Sequence, residues 1–104
     1  MIECSGSDDK TIKIWNSSFE CISTLKGHTS FVCSLVVWNN FLCSGSYDKS
    51  IQIWNSSGQT IQTLKGNQSP VCDLLVWNNN LYSATYDRTI GIWKSTFYGP
   101  DICE

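Results

Sequence analysis

The sequence predicts an all-β protein built from repeated sets of short antiparallel strands, and three observations predict this class. A segment of 39 residues recurs along the chain without insertion or deletion. Within each copy apolar and polar residues alternate with period two, and no 3.6-residue stripe competes with that alternation. Clusters of Asn, Asp and Ser separate the alternating segments, as turns separate strands.

The repeat is clearest around the tryptophans. Residues 5–16 recur as residues 44–55 and again as residues 83–94, which are steps of 39 (44 minus 5, and 83 minus 44). When residues 5–43 are laid over residues 44–82, 25 of the 39 positions are identical. A period of this length indicates one supersecondary unit that buries its apolar faces against neighbouring copies.

Each period is predicted to contain four strands. Paired asparagines end the longer strands, because asparagine tolerates the left-handed conformation of a tight hairpin. Four short antiparallel strands per period form one blade of a β-propeller. The predicted strands are Thr11–Trp15, Glu20–Leu25, Val32–Trp38, Phe41–Ser46, Thr60–Leu64, Val71–Trp77 and Leu81–Thr85.

Composition narrows the range of functions. The 104 residues are 41% hydrophobic and 15% charged with a net charge of -2, which indicates a folded chain rather than a disordered one. The pI near 5.2 and the scattered basic residues argue against a nucleic-acid partner or an anionic membrane. No apolar run reaches the ~18–20 residues needed to span a bilayer. Residues 1–4 do not resemble a signal peptide, so we expect a cytoplasmic protein, with the nucleus as an alternative.

Six cysteines allow either a disulfide framework or reduced thiols. A framework would require a secretory context, and a zinc site has no support because there is no C-x-x-C pair and only one histidine, His28. Cys33 and Cys43 lie in apolar, strand-like segments, where free cysteine acts as a small hydrophobic residue. We therefore expect buried, reduced thiols and no metal or other cofactor.

Two motifs mark the period and carry a family resemblance. Gly27-His28 begins one copy, and Ser44-Gly45-Ser46-x-Asp48-x-x-Ile51-x-Ile53-Trp54 ends it. Through these motifs residues 1–94 resemble the WD-repeat family, whose repeat begins with G-H and ends with W-D. The chain departs from this pattern at Trp15-Asn16, Trp54-Asn55 and Trp93-Lys94, and the second G-H is replaced by Gly66-Asn67.

The resemblance implies a buried tetrad of His, Ser or Thr, Trp and the turn Asp in each blade. In the middle copy the four positions are His28, Ser44, Asp48 and Trp54. In the last copy they are Asn67, Ser83, Asp87 and Trp93, and because asparagine is shorter than histidine we expect that tetrad to be incomplete or bridged by water. The first copy has Ser5, Asp9 and Trp15 without a preceding histidine.

The resemblance also implies where partners bind. WD proteins commonly use the residue before the turn Asp and the residues that flank the first valine of the innermost strand. Tyr47, Tyr86 and Phe31 are the strongest candidates, because aromatic side chains offer large contact areas. The alternative is that both tyrosines only cover a blade edge. The full set is Asp8, Tyr47, Tyr86, Phe31 with Cys33, and Pro70 with Cys72.

An enzymatic role is not expected. Asp9, Asp48 and Asp87 recur once per period, as structural residues do, and the Ser44, His28 and Asp48 set has no nucleophile elbow. The glycines form no nucleotide-binding pattern. The sequence thus predicts a non-enzymatic module that binds proteins or peptides. The wording of its sequence motifs, residue by residue, looks nearest to the WD domains of ubiquitin-ligase subunits and to kinase-associated propellers. The alternatives are a self-assembling unit that completes a propeller by oligomerisation, with self-association through open blade edges, and a nucleic-acid-associated module.

The expected organisation is an open arc of about three propeller blades, as in a fragment of a longer propeller. We place a partial blade at residues 1–26, a full repeat at 27–65, a partial blade at 66–94 and a tail at 95–104. Within the tail, residues 97–100 either pair as a poor fourth strand or fray.

Overall fold

The computed structural model describes residues 3–6, 10–96 and 99–103, and it describes side chains over residues 10–94. The described residues form eleven strands, and no described segment is a helix that could cross a membrane. The strands are β1 (Glu3–Gly6), β2 (Thr11–Trp15), β3 (Cys21–Lys26), β4 (Val32–Trp38), β5 (Phe41–Ser46), β6 (Ile51–Trp54), β7 (Thr60–Leu64), β8 (Val71–Trp77), β9 (Asn80–Thr85), β10 (Ile90–Thr96) and β11 (Gly99–Cys103). The predicted all-β class is confirmed.

The strands form three antiparallel sheets, each in chain order, which we call blade 1 (β1–β3), blade 2 (β4–β7) and blade 3 (β8–β11). β4 and β8 are the first strands of blades 2 and 3, and each is paired on one side only. The predicted bounds are confirmed for β2, β4, β5, β7 and β8. β3 begins and ends one residue later than predicted, and β9 begins one residue earlier.

The segment after Thr96 supplies the fourth strand of blade 3. β11 pairs with β10 in the register Trp93↔Cys103 to Thr96↔Gly99, with a bulge between Lys94 and Ser95. Of the two outcomes expected for residues 97–100, pairing is the one observed for the described part, Gly99 and Pro100. Blade 3 therefore has four strands, like blade 2.

Paired asparagines form the β4–β5 and β8–β9 hairpins, as predicted. Asn39 and Asn40 have φ of 53° and 66°, and Asn78 and Asn79 have φ of 54° and 66°. Two successive residues with positive φ define the type I′ turn, whose twist matches that of the flanking strands. The hairpins fix the register of both inner strand pairs, Trp38↔Phe41 and Trp77↔Asn80.

The apolar core lies between the blades rather than within any one of them. Ile12 and Leu25 of blade 1 pack against Val32 and Trp54 of blade 2. On the other side of blade 2 a larger cluster joins it to blade 3. Its buried members are Trp38, Cys43, Ile51, Ile53 and Leu64 from blade 2 and Val71, Leu74, Leu81 and Trp93 from blade 3.

Polar contacts also cross between blades 2 and 3. The Trp38 indole Nε1 donates to the Asn79 carbonyl oxygen at 2.9 Å. The Ser34 hydroxyl donates to Asp73 Oδ1 at 3.2 Å and accepts from the Leu74 N–H at 3.1 Å. The approach is close enough that a Cβ placed on Gly45 would lie 2.7 Å from Val71 Cγ1. The two inner strands are thus held side by side.

The expectation of buried thiols is correct for Cys43 and wrong for Cys21 and Cys33. Cys43 is fully buried in the blade 2–3 cluster, and burial raises the pKa of its thiol to about 12. Cys33 is exposed because it occupies a β-bulge between Val32 and Ser34, where the strand alternation is interrupted. Among the cysteines whose side chains are described, none forms a disulfide.

Candidate functional site

The structure brings together the four residues of the blade 2 tetrad. His28 Nδ1 lies 2.8 Å from Asp48 Oδ2, and His28 Nε2 lies 2.6 Å from the Ser44 hydroxyl. The Trp54 indole Nε1 donates to the same hydroxyl at 2.8 Å. Because an ionised Asp48 can only accept, His28 carries its proton on Nδ1, and Ser44 donates to Nε2 while it accepts from Trp54. With this assignment every polar side-chain atom of the tetrad has a hydrogen-bond partner.

Asp48 accepts further hydrogen bonds from its own turn and from the segment that precedes β4. The Ser50 hydroxyl donates to Oδ1 at 2.6 Å and the Ser50 N–H at 2.9 Å, while the Thr29 N–H donates to Oδ2 at 3.0 Å. Burial by itself would raise the pKa of Asp48, but the hydrogen bonds from Ser50, Thr29 and His28 outweigh it and hold that pKa below its usual value. The carboxylate is therefore ionised throughout the neutral range.

Three members of the tetrad are buried, and Asp48 at its outer end is partly exposed. Ser44 is fully buried, and His28 and Trp54 retain 7% and 2% of their exposure. Gly27 allows this close packing, since a Cβ there would lie 2.9 Å from the Trp54 ring. Because Ser44 is fully buried, its hydroxyl does not face solvent or a pocket in which a substrate could reach it, and the Ser44, His28 and Asp48 set joins segments of the fold.

The counterpart in blade 3 is incomplete, as the shorter Asn67 side chain predicts. Trp93 Nε1 still donates to the Ser83 hydroxyl at 3.1 Å. Ser83 lies 3.5 Å from Asn67 Oδ1, and Asn67 Nδ2 reaches the Lys49 carbonyl at 3.4 Å rather than Asp87. Asp87 accepts instead from the hydroxyls of Thr85 and Thr89, which lower its pKa.

The first copy falls largely outside the described side chains. Ser5 lies on β1, whose side chains are not described, and Asp8 and Asp9 lie outside the described residues. Trp15 is half-buried at the end of β2.

The three favoured partner-binding residues form one continuous aromatic row. The Phe31 and Tyr47 ring centroids are 5.9 Å apart, and those of Tyr47 and Tyr86 are 5.7 Å apart, with interplanar angles of 52° and 57°. Their exposed fractions are 46%, 36% and 68%. The aromatic row (Phe31, Tyr47, Tyr86) therefore runs from blade 2 to blade 3 and remains accessible along its length.

Backbone hydrogen bonds hold the row in place. The Tyr47 N–H donates to the Phe31 carbonyl at 3.0 Å, and the Tyr86 N–H donates to the Pro70 carbonyl at the same distance. The Ser46 hydroxyl donates to the Phe31 carbonyl at 2.7 Å and accepts from the Asp48 N–H at 3.1 Å. The tetrad aspartate, Tyr47 and Phe31 are thus held by the same turn of blade 2, and Tyr86 is held by the equivalent turn of blade 3.

The row carries neutral polar groups at its surface. The neighbouring Tyr86 phenol, together with some burial, raises the pKa of Tyr47 to about 12. Partial burial, followed by the neighbouring Cys72, raises the pKa of Cys33. The surface therefore offers aromatic faces and neutral hydroxyl and thiol groups, a combination suited to contacts with a peptide.

Two structural roles were missed by the sequence reasoning. Ser46 and Ser50, like Thr85 and Thr89, lie two residues on either side of a turn aspartate and bond to it or to its N–H. The sequence signal for this role is the recurring pattern hydroxyl-x-Asp-x-hydroxyl around each of these two aspartates. Asn16 and Asn55 replace the final Asp of the repeat, and each accepts two backbone N–H bonds of its turn.

Comparison with known proteins agrees with this architecture. The family model described as "WD domain, G-beta repeat" matches residues 2–16, 19–55 and 58–94. The chain belongs to the WD-repeat family, whose members generally bind other proteins and are generally not enzymes. It is similar to the structure of U3-55K, a WD-repeat propeller protein, at 31% sequence identity and a TM-score of 0.79. The similarity covers 88% of this chain and 30% of the U3-55K chain.

Proposed function

We propose that this chain is a non-enzymatic scaffold module that binds partner proteins or peptides through the aromatic row. The observation that carries the proposal is the contact of Phe31, Tyr47 and Tyr86 in one exposed line. Most exposed aromatics on a folded surface are isolated, whereas binding energy concentrates in clustered, pre-positioned aromatic residues. Because the row is held by backbone bonds, a partner would bind without ordering it first.

The chemistry of the row favours an extended peptide with apolar or aromatic side chains. The rings supply flat apolar contact, and the two phenols can bond to peptide N–H or carbonyl groups. The narrower roles in a ubiquitin ligase or a kinase assembly stay predictions, as do the expected cytoplasmic location and the candidates Asp8 and Pro70.

A displayed library of random peptides, selected against the intact chain, tests the proposal. We expect the selected peptides to lose at least about ten-fold in affinity for the Tyr86→Ser variant, as removal of an interface aromatic typically does. The matched control is Phe19→Asn, which removes an aromatic that is 80% exposed in a different turn and keeps a residue that tolerates φ of 63°. The proposal would be contradicted if no peptide could be selected, or if the Tyr86→Ser and Phe31→Ser variants both bound the selected peptides as tightly as the wild type does.

A further inference from the structure

The turn aspartates of blades 2 and 3 differ in how the fold uses their two carboxylate oxygens. In blade 2, Asp48 Oδ1 accepts from the hydroxyl and the N–H of Ser50. Asp48 Oδ2 accepts from His28 Nδ1 at 2.8 Å and from the Thr29 N–H at 3.0 Å. Both oxygens of Asp48 are therefore occupied by donors of the chain itself.

In blade 3 the described residues occupy one oxygen of Asp87. The hydroxyls of Thr85 and Thr89 donate to Oδ1 at 2.5 and 2.7 Å, and the Thr89 N–H donates to the same oxygen at 3.1 Å. Among the described residues nothing donates to Asp87 Oδ2. A carboxylate oxygen can accept about two hydrogen bonds, so Oδ2 is available to a donor from outside the chain.

The free oxygen follows from the length of the side chain at one position. The two residues that bond to Asp48 Oδ2 have counterparts in blade 3, Asn67 and Gln68, which lie 39 positions further along the chain. The Asn67 amide is shorter than an imidazole, and its Nδ2 lies 3.4 Å from the Lys49 carbonyl oxygen instead of reaching Asp87. The difference thus arises between blades 2 and 3, whose equivalent segments are both present.

A groove lies beside the free oxygen. It has a volume of about 300 Å³ and is lined by Asp87, Asn67 and Gln68 among others. The equivalent groove of blade 2, of about 370 Å³, is lined by Asp48 and Thr29 and stays open although blade 3 packs beside blade 2. The groove therefore does not depend on what lies beside its blade, and a side chain of a partner can reach Asp87.

The groove carries negative charge. Hydrogen bonds from Thr85 and Thr89 hold the pKa of Asp87 below its usual value, so the carboxylate is ionised at neutral pH. Asp87 forms no ion pair with another described residue, and Arg88, the next residue of the turn, does not line the groove. An ionised oxygen without a donor of its own favours a cationic group, which forms a charge-assisted hydrogen bond with it.

Asp87 directly follows the last residue of the aromatic row, Tyr86. Consecutive Cα atoms are about 3.8 Å apart, and an extended peptide advances about 3.3 Å per residue. A basic side chain within about two positions of the peptide residue that contacts Tyr86 can therefore reach Asp87. The face of a tyrosine ring also attracts a cation, which adds to the attraction of the carboxylate.

We propose that Asp87 selects partner peptides that carry a lysine or arginine close to the residue that contacts Tyr86. The basic side chain donates to Asp87 Oδ2, the oxygen that the fold leaves unused. This inference rests on the proposed function of the aromatic row and adds a charge requirement to it. Asp48, whose two oxygens are both occupied, makes no such selection.

Peptides selected from a random library against the intact chain test the proposal. We expect lysine or arginine to be enriched in them, and Asp87→Asn to lower their affinity about five-fold, less so at high salt. Asparagine keeps the oxygen that accepts from Thr85 and Thr89, so the variant removes the charge and retains the turn. The matched control is Glu20→Gln, which removes an exposed carboxylate before β3 and should leave the affinity unchanged.

A second variant blocks the same oxygen and keeps the charge. Asn67→His offers an imidazole N–H to Asp87 Oδ2, as His28 does to Asp48, and should also weaken the binding of the basic peptides. A peptide whose basic residue is replaced by alanine should bind the wild type and Asp87→Asn equally well.

The outcomes separate this inference from the proposed function. If Tyr86→Ser weakens binding while Asp87→Asn and Asn67→His bind as tightly as the wild type, the charge requirement is wrong and the aromatic row still binds peptides. Selected peptides without an enriched basic residue lead to the same conclusion. If no peptide is selected, or if Tyr86→Ser and Phe31→Ser are also without effect, the proposed function and this inference both fail.

Discussion

Trp54 and Ser44 are joined by a hydrogen bond of 2.8 Å between indole Nε1 and the hydroxyl, and the same bond recurs 39 residues later between Trp93 and Ser83 at 3.1 Å. Of these two blades, blade 2 alone continues the series of bonds through a histidine to the turn aspartate. The two blades therefore provide an internal comparison of a complete and an incomplete tetrad in one molecule.

Removal of His28 should destabilise the protein much more than removal of Asn67. His28→Ala removes a buried ring, leaves the buried Ser44 hydroxyl without its histidine partner and removes one bond from the partly buried Asp48 carboxylate, which together cost about 2–4 kcal/mol of unfolding free energy. Asn67→Ala removes only contacts of 3.4–3.5 Å, at the limit of hydrogen bonding, and is expected to cost under about 1 kcal/mol. Urea unfolding measures both, and equal losses would show that the blade 2 network contributes nothing extra.

Replacement of Asn67 by histidine should stabilise blade 3. The longer side chain can reach both Ser83 and Asp87, as His28 reaches Ser44 and Asp48, and it adds about 1 kcal/mol for the completed network. For a domain of this size the thermal midpoint should rise by about 4–8 °C. The gain should vanish when Asn67→His is introduced together with Ser83→Ala, and a gain that survives would assign the effect to packing alone.

Acid should weaken the fold through Asp48. The folded-state pKa of Asp48 lies below its unfolded value of about 3.9, so its contribution is fully present above that value and is lost as the pH falls through the folded pKa. We expect the unfolding free energy of the wild type to fall as the pH drops from about 5 toward about 3. Asp48→Asn should be less stable at pH 7 and should lose less over the same interval. Parallel curves for the two proteins would refute this assignment.

Trp38 and Trp77 should respond differently to the same substitution. Trp38→Phe removes the bond to the Asn79 carbonyl inside the blade 2–3 core and is expected to cost about 1–2 kcal/mol. Trp77→Phe changes a residue that is 65% exposed and should alter the stability of the monomer by less than about 0.5 kcal/mol. Both are measured by urea unfolding at low protein concentration. Similar losses of unfolding free energy at the two sites would mean that Trp77 is buried in solution.

Much of the local structure could be predicted from the sequence because it depends on near neighbours. Strand alternation and the Asn39–Asn40 hairpin are set by side chains within a few residues. The tetrad positions followed from a family resemblance, and the structure places His28, Ser44, Asp48 and Trp54 in contact. The exposure of Cys33 could not be predicted, because a bulge is a property of strand pairing rather than of local composition.

The sequence alone determined the period, the strand bounds to within a residue or so, and the turns. Only the tertiary structure decided what each face touches. Residues 35–40 and 74–79 differ at one position, yet Trp38 is buried and Trp77 is exposed. The physical reason is that burial depends on whether another sheet lies against that face. Blade 3 covers Trp38, and no described residue covers Trp77 in the same way.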